Sequence, residues 1–267
     1  MLLLVLFAGG AHKPHPHSGV LQPFTAGPPP HLSPSEAASL ADGKPVMKSV
    51  EMEGGVGGRA LAVFDVAAPP ALVWQCINDI PAYPRMVPGV AATEVYDSSP
   101  LPHGGKLTRA KYTIALLGYR LSYYLDLKYE PKLSSMTFRL DYSRHSDIDD
   151  ATGYWHVAPT GEGRGALAGC EGGSRVSYMA AMKLRGWFPR SIVDFLLATT
   201  LGRATSWVIT EAAARQTAGV AAPRCRWKWL PFPRREWLEL LAYCVGASPL
   251  LLVLLLNLDR GQYGSRG

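Results

Sequence analysis

Through the middle of the chain, apolar residues fall at every second position, the period of a strand with one face buried. In Arg109–Leu116 the set Ala110, Tyr112, Ile114 and Leu116 lies on one side, with Arg109, Lys111 and Thr113 on the other. The next run sets Tyr119, Leu121, Tyr123, Leu125 and Leu127 against Arg120, Ser122, Tyr124, Asp126 and Lys128, and Gly118 between the two runs marks a tight hairpin. Met136, Phe138, Leu140 and Tyr142 then alternate with Thr137, Arg139 and Asp141, and Gly153, Trp155 and Val157 with Tyr154 and His156. The pattern predicts an antiparallel meander with one apolar face.

On either side of the meander the period changes. An earlier strand, Arg59–Val66, runs into AAPPALVWQCINDIPAYPRMVPGV, where Pro69 and Pro70 suit the start of a short helix and Pro81, Pro84 and Pro88 break any longer one. After a last strand, Ser174–Leu184, the residues Val193, Leu197, Leu201, Ala204, Val208 and Ala212 recur every three or four positions. They predict an amphipathic helix of about seven turns ending near Gln216. The order is strand, two short helices, about six strands and one long helix, an α+β arrangement in which a curved antiparallel sheet wraps around the C-terminal helix. Ala198, Gly202 and Ala204 put little volume on that helix, so sheet and helix are expected to leave a hollow between them.

A chain of 267 residues allows one medium-sized core with appendages. We place the globular domain at 55–218. Residues 1–54 hold a short apolar run and then a tract rich in Ala, Pro, His, Gly and Ser with no acidic residue before Glu36, which is expected to be a targeting or disordered leader. At the other end Leu240–Leu256 (LLAYCVGASPLLLVLLL) carries no charge, and extension to 237–258 reaches the length of a single-pass transmembrane helix, followed by a tail at 259–267. The net charge of +6 does not imply a nucleic-acid partner, because Arg224, Arg226, Lys228, Arg234 and Arg235 gather in a basic, aromatic juxtamembrane linker at 219–236. That placement suits anionic lipid headgroups. Their excess over Arg260 and Arg266 puts the domain on the cytosolic, stromal or matrix side, and the acid-poor leader favours a chloroplast or mitochondrion.

Several motifs, taken in order, resemble one superfamily. The run VFDVAAPPALVWQCINDIPAYPRMVPGV resembles the opening of START-like (SRPBCC) proteins, in particular the polyketide cyclase/dehydrase and lipid-transport group that includes the coenzyme-Q-binding proteins. Val73, Trp74, Asp79, Tyr83, Pro84, Pro88 and Gly89 occupy the characteristic places. GYWHVAPTG resembles the group's G-x-W-x-V-x-P strand, and GSRVSYMAAMKLRGWFPRSIVDFLL its last strand, the turn after it and the start of the gripping helix. Thr160–Gly173 departs from the pattern as an insertion in a surface loop. The resemblance implies a helix-grip fold with an apolar ligand, a lipid, isoprenoid or quinone, between sheet and helix. The alternation then selects the lining: Tyr112, Ile114, Leu116, Leu121, Tyr123, Leu125, Phe138, Leu140, Trp155, Leu197, Leu201 and Val208. Ten buried methylenes contribute about 8 kcal/mol, at about 0.8 kcal/mol each, so binding needs no catalytic group.

No catalytic residue stands out. His145, Asp147, Asp149 and Asp150 cluster in RHSDIDDATG, which reads as a solvated connection. His156 and Tyr154 should be exposed opposite Trp155, and Arg109, Lys111, Arg120, Asp126, Arg139 and Asp141 share an outward face where cross-strand ion pairs are expected. No GxSxG, HExxH, P-loop or Rossmann fingerprint is present. Cys76, Cys170, Cys225 and Cys244 are far apart without a CxxC pair, and His12, His15, His17 and His31 lack nearby partners, so no metal site, disulfide or cofactor is expected. The leading expectation is membrane-tethered binding of an apolar small molecule by a carrier or chaperone. A cyclase or aromatase using the same hollow would need an ionisable group inside it. A scaffold would fill the hollow with its own side chains.

Overall fold

Eight antiparallel strands form one sheet in a computed structural model that describes residues 14–16, 20–51, 57–116, 118–160, 172–186 and 206–218. In chain order these are β1 (Val46–Glu51), β2 (Gly57–Val66), β3 (Val90–Leu101), β4 (Gly105–Leu116), β5 (Tyr119–Glu130), β6 (Ser135–Leu140), β7 (Asp150–Pro159) and β8 (Ser174–Lys183). Their spatial order is β1-β2-β8-β7-β6-β5-β4-β3, so the predicted meander from β3 to β8 folds back until β8 pairs with β2. The register joins the apolar sets across the sheet. Tyr112 lies opposite Tyr123, Leu125 opposite Leu140, Met136 opposite Trp155, Trp155 opposite Tyr178 and Tyr178 opposite Ala62. Because side chains alternate strictly, that register puts every apolar set on one, concave, face.

Four α-helical elements accompany the sheet among the described residues: α1 (Pro34–Ala41), α2 (Pro70–Asn78), α3 (Tyr83–Met86) and α4, residues 206–218. Pro69 is held extended and Pro70 occupies the first turn of α2, where its missing N–H costs nothing. Asp79 and Pro81 end the helix, and a single 3-10 turn, Ile80–Ala82, turns the chain into α3. Val73, Trp74, Cys76 and Ile77 of α2 are buried against the concave face, with the Trp74 ring 4.8 Å from that of Tyr129. The thiol of Cys76 is free, and burial pushes it up to about 11.

The expectation of an unstructured leader through residue 54 is corrected by residues 20–51. Here the chain runs over the convex face as a strap, then supplies α1 and the edge strand β1. Ser33 and Glu36 form a capping box at the start of α1. The hydrogen bond from Lys48, with that from Ser33, pulls the Glu36 carboxyl down to about 2. Leu40, Val46 and Val63 then make a small second core with Leu32 and Leu61 beside them. Upstream, the Phe24 and Tyr154 rings lie 5.5 Å apart, Gly27 N–H donates to Ser135 Oγ at 3.0 Å, and Leu21 N–H donates to Asp150 Oδ2 at 2.6 Å. His15 is buried, accepting from Ser146 N–H at Nδ1 and donating from Nε2 to the Asp149 carbonyl, so its ring proton sits on Nε2.

Two further differences follow from the strap. Tyr154 is buried and His156 half-buried rather than exposed, because the convex face has its own cover, and burial lowers the His156 pKa. The segment around RHSDIDDATG is not a solvated loop. Asp147 accepts from Ser122 N–H at 2.7 Å, Ser146 Oγ accepts from Tyr124 N–H, and Ser146, Ile148, Asp149 and Asp150 are buried. The expected ion pairs do form further along the convex face: Arg109 bridges Asp126 at 3.0 Å, and Arg139 meets the same carboxylate at 3.5 Å.

The start of the predicted long helix, residues 161–171 of the expected surface insertion and everything from 219 onward lie outside the described residues, the expected membrane span at 237–258 among them. Among the described residues no helix is long and apolar enough to cross a membrane.

Candidate ligand-binding site

The concave face is small at its centre and aromatic around it. Ala60, Ala62, Ala151, Gly153 and Ala180 occupy adjacent inward positions of β2, β7 and β8, where larger side chains would have filled the interior. Gly153 has no room for more, since a Cβ there would overlap the Met179 carbonyl and the Phe138 ring. Around this floor the rings form an unbroken arch. Tyr123 stacks on Tyr112 with centroids 5.6 Å apart, Tyr112 meets Tyr83 at 6.0 Å, and Tyr83 meets Trp207 of α4 at 5.3 Å. Trp207 contacts Trp155 at 6.2 Å, Trp155 contacts Tyr178 at 4.3 Å, and Tyr178 reaches Phe138 at 6.4 Å. Each such pair adds about 0.5–1.5 kcal/mol beyond its buried area, so the arch ties α3 and α4 to both halves of the sheet.

Inside the arch, Ile114, Tyr123, Phe138, Tyr178, Ala180 and Met182 keep accessible surface although all six project to the concave side. For Tyr123 and Tyr178 this accessibility coexists with deep enclosure. Burial pushes the Tyr178 hydroxyl up to about 12 and that of Tyr123 higher still. Inward-pointing rings that keep accessible surface are placed to line the space between the sheet and the helices that cover it. The described concave positions from Thr108 to Ile114, Leu121 to Tyr129, Met136 to Leu140, Ala151 to Val157 and Val176 to Met182 carry no carboxylate, imidazole, amine or guanidinium. The charges of α4 are engaged elsewhere: Arg215 donates to Asp79 at 2.6 Å and to Glu211 at 2.8 Å, fastening the helix to the end of α2.

The structure brings together Tyr112, Ile114, Leu121, Tyr123, Leu125, Phe138 and Trp155 on this face, with Val208 of α4. Leu140 and Val208 are completely sealed by protein and pack as core rather than wall. Leu197, Leu201 and the side chain of Leu116 lie outside the described residues. Tyr178, Ala180 and Met182 were missed as lining, though the alternation Val176, Tyr178, Ala180, Met182 in β8 carries the same signal as the strands that were used. Tyr83 and Trp207 were missed for another reason. They reach the arch from helices whose orientation no strand period reveals.

A separate groove of about 390 Å³ lies on the convex face, between Pro23 and Phe24 of the strap and the outward side of β4–β6. Arg109, Lys128 and Arg139 line it with Asp126, whose carboxyl burial raises above its ordinary pKa. Pro23, Phe24, Leu101, Leu107 and Phe138 supply the apolar part of its lining, so the groove is amphipathic. Among the described residues no group of three or more His, Cys, Asp or Glu is arranged to hold a metal ion.

Among curated proteins none matches the chain. Similar solved structures include the Zhui aromatase/cyclase from a Streptomyces species, 15% identical over 65% of this chain and 99% of that chain with a TM-score of 0.48. The STAR-related lipid transfer protein from Xanthomonas axonopodis is 15% identical over 63% of this chain and 93% of that chain, with a TM-score of 0.49. A START superfamily protein from Mycobacterium smegmatis is 14% identical over 64% of this chain and 98% of that chain, with a TM-score of 0.45. The sequence profile of one family, polyketide cyclase / dehydrase and lipid transport, matches residues 66–206, more than half of the chain, and the protein belongs to that family.

Proposed function

We propose that the protein binds an apolar small molecule, a lipid, isoprenoid or quinone, in the concave hollow and acts as its carrier or chaperone at a membrane. The observation that carries this reading is the hollow itself, desolvated side chains that keep accessible surface above a floor of Ala and Gly. Its described wall offers hydrophobic transfer energy at about 25 cal/mol per Å² of apolar surface covered. The wall offers little proton-transfer chemistry. A cyclase needs an acid or base whose pKa lies near the working pH, and the enclosed positions among the described concave residues supply phenols that burial makes weaker acids. The family's description includes cyclases, so that second reading stands as the alternative.

Solvent extraction of the purified full-length protein, followed by mass spectrometry, is expected to release a stoichiometric apolar molecule. Ala180→Phe puts a ring into the accessible space above β8 and is expected to lower that occupancy at least fivefold while the protein stays folded. Undiminished occupancy in this variant would remove the hollow as the binding site. The tether is tested separately. The full chain is expected to sediment with membranes through alkaline carbonate washing, and a chain ending at residue 218 to stay in the supernatant, since 237–258 has the length and apolarity of a span. Equal release of both chains would rule the anchor out.

A further inference from the structure

Three deeply enclosed phenolic hydroxyls interrupt the apolar lining of the hollow. Tyr112 of β4, Tyr123 of β5 and Tyr178 of β8 all point to the concave side, and among the described residues none of their hydroxyls has a hydrogen-bond partner. By contrast, Tyr83 donates to the Ile77 carbonyl at 2.7 Å and Tyr96 to Asp141 at 2.7 Å, so the fold does satisfy tyrosines that have only a structural task. Nor are the three hydroxyls sealed away. Among the described residues the buried side-chain oxygens left without a partner are those of Thr160 and Ser177, neither of which is on this face.

The three also converge. β4 and β8 are four strands apart in the sheet, which at about 4.8 Å per strand is roughly 19 Å on a flat surface. Yet the aromatic arch joins them: Tyr123 stacks on Tyr112 at 5.6 Å, and Tyr112 connects through Tyr83, Trp207 and Trp155 to Tyr178 in ring-to-ring steps of 6.0, 5.3, 6.2 and 4.3 Å. A donor in an apolar chamber has to be matched by an acceptor, or it costs the complex about 1–3 kcal/mol.

We infer that Tyr112, Tyr123 and Tyr178 form a hydrogen-bonding clamp that selects a neutral, oxygen-bearing ligand, one carrying a ketone, quinone or ester carbonyl on an otherwise hydrocarbon body. The inference rests on the reading of the hollow as a ligand chamber. A pure hydrocarbon leaves the three donors unmatched. A free fatty acid brings a carboxylate, and the cation at a described concave strand position, Lys106 opposite Tyr129, is exposed at the start of β4 and six residues from Tyr112, so a carboxylate at the three phenols would be a buried charge without a partner, which costs far more than a neutral carbonyl. Phenols with raised pKa stay protonated across the physiological range, so the clamp donates at any pH at which the protein works.

The test uses the full-length protein, delipidated, with N-phenyl-1-naphthylamine as the fluorescent reporter of the hollow. Three competitors of equal chain length displace it: methyl undecyl ketone, tridecane and tridecanoate. The ketone is expected to compete on the order of tenfold better than either of the others, the effect of one or two net hydrogen bonds. In the triple variant Tyr112→Phe, Tyr123→Phe, Tyr178→Phe the ketone-to-alkane ratio is expected to fall towards one. The single variants Tyr123→Phe and Tyr178→Phe, at half-buried positions where loss of one oxygen leaves packing intact, are expected to lower it two- to fourfold each. An unchanged ratio in these variants, or preference for tridecanoate in the unmodified protein, overturns the clamp and leaves the chamber standing. Failure of the unmodified protein to take up the reporter or any competitor overturns the chamber and the clamp with it.

Discussion

Substitution of Asp150 by alanine is expected to cost about 4 kcal/mol of folding stability and to free the strap from the sheet. The Asp150 side chain is fully buried at the start of β7, and both oxygens are occupied. Oδ1 accepts from the Tyr142 hydroxyl at 2.9 Å and from Ala151 N–H at 2.8 Å, and Oδ2 accepts from Leu21 N–H at 2.6 Å. Hydrogen bonds to a charged group are worth about 1.5–3 kcal/mol each, and removing the acceptor leaves two backbone amides and a phenol to find water in a covered site. Part of the loss is recovered as the strap moves away and the site wets, which keeps the total near 4 kcal/mol rather than at the sum. For a domain of this size that corresponds to a fall in Tm of roughly 8–16 °C. Hydrogen exchange locates the defect: amides of residues 20–41 are expected to exchange faster in the variant under conditions where β4–β8 remain protected. Asp150→Asn, which keeps one carbonyl oxygen but sets an amide against an amide donor, should lie between the two. A variant as stable as the unmodified protein, with an unchanged strap, would show that this carboxylate does not hold the two segments together.

That site also shows where reading the sequence stops. The strands β4 to β8 are legible because one face is buried on one side, so period two survives in the order of residues, and even their ends fall within a few positions of the observed ones. The strap is illegible for the opposite reason. It is held by single contacts far apart in the chain, Leu21 to Asp150, Gly27 to Ser135 and Phe24 to Tyr154, and an extended segment with isolated anchors has no period. Its Pro, Gly and His content matches that of a disordered leader, because composition does not encode a partner about 130 residues away. Edge strand β3 hides differently. Two register shifts, after Val90 and after Val95, break its alternation, as bulges do at sheet edges. For the site, the strand-borne rings Tyr112, Tyr123, Phe138 and Trp155 could be read from alternation, whereas Tyr83 and Trp207 depend on how α3 and α4 lie against the sheet.

Gly153→Ala is the substitution that tests fold and hollow at once. A Cβ at this position would overlap the Met179 carbonyl on the neighbouring strand and the edge of the Phe138 ring, whose Cε1 would stand 2.8 Å away. The ring has somewhere to go, into the accessible space beside Tyr178, but the carbonyl belongs to the β7–β8 ladder and moves only with its strand. The expected cost is therefore about 3 kcal/mol, at the upper end of what overpacking imposes. Ligand occupancy should fall as well, because the displaced Phe138 ring takes part of the volume the ligand uses. A double-mutant cycle separates the two obstacles. If the ring alone resisted the new methyl, Gly153→Ala would cost nothing further in a Phe138→Ala background. With the carbonyl as the stiffer obstacle, at least half of the cost is expected to persist there. Equal stability of Gly153→Ala and the unmodified protein, by thermal or urea unfolding, would mean that the strands are not packed as closely over this position as the register requires, and the floor of the hollow would have to be redrawn.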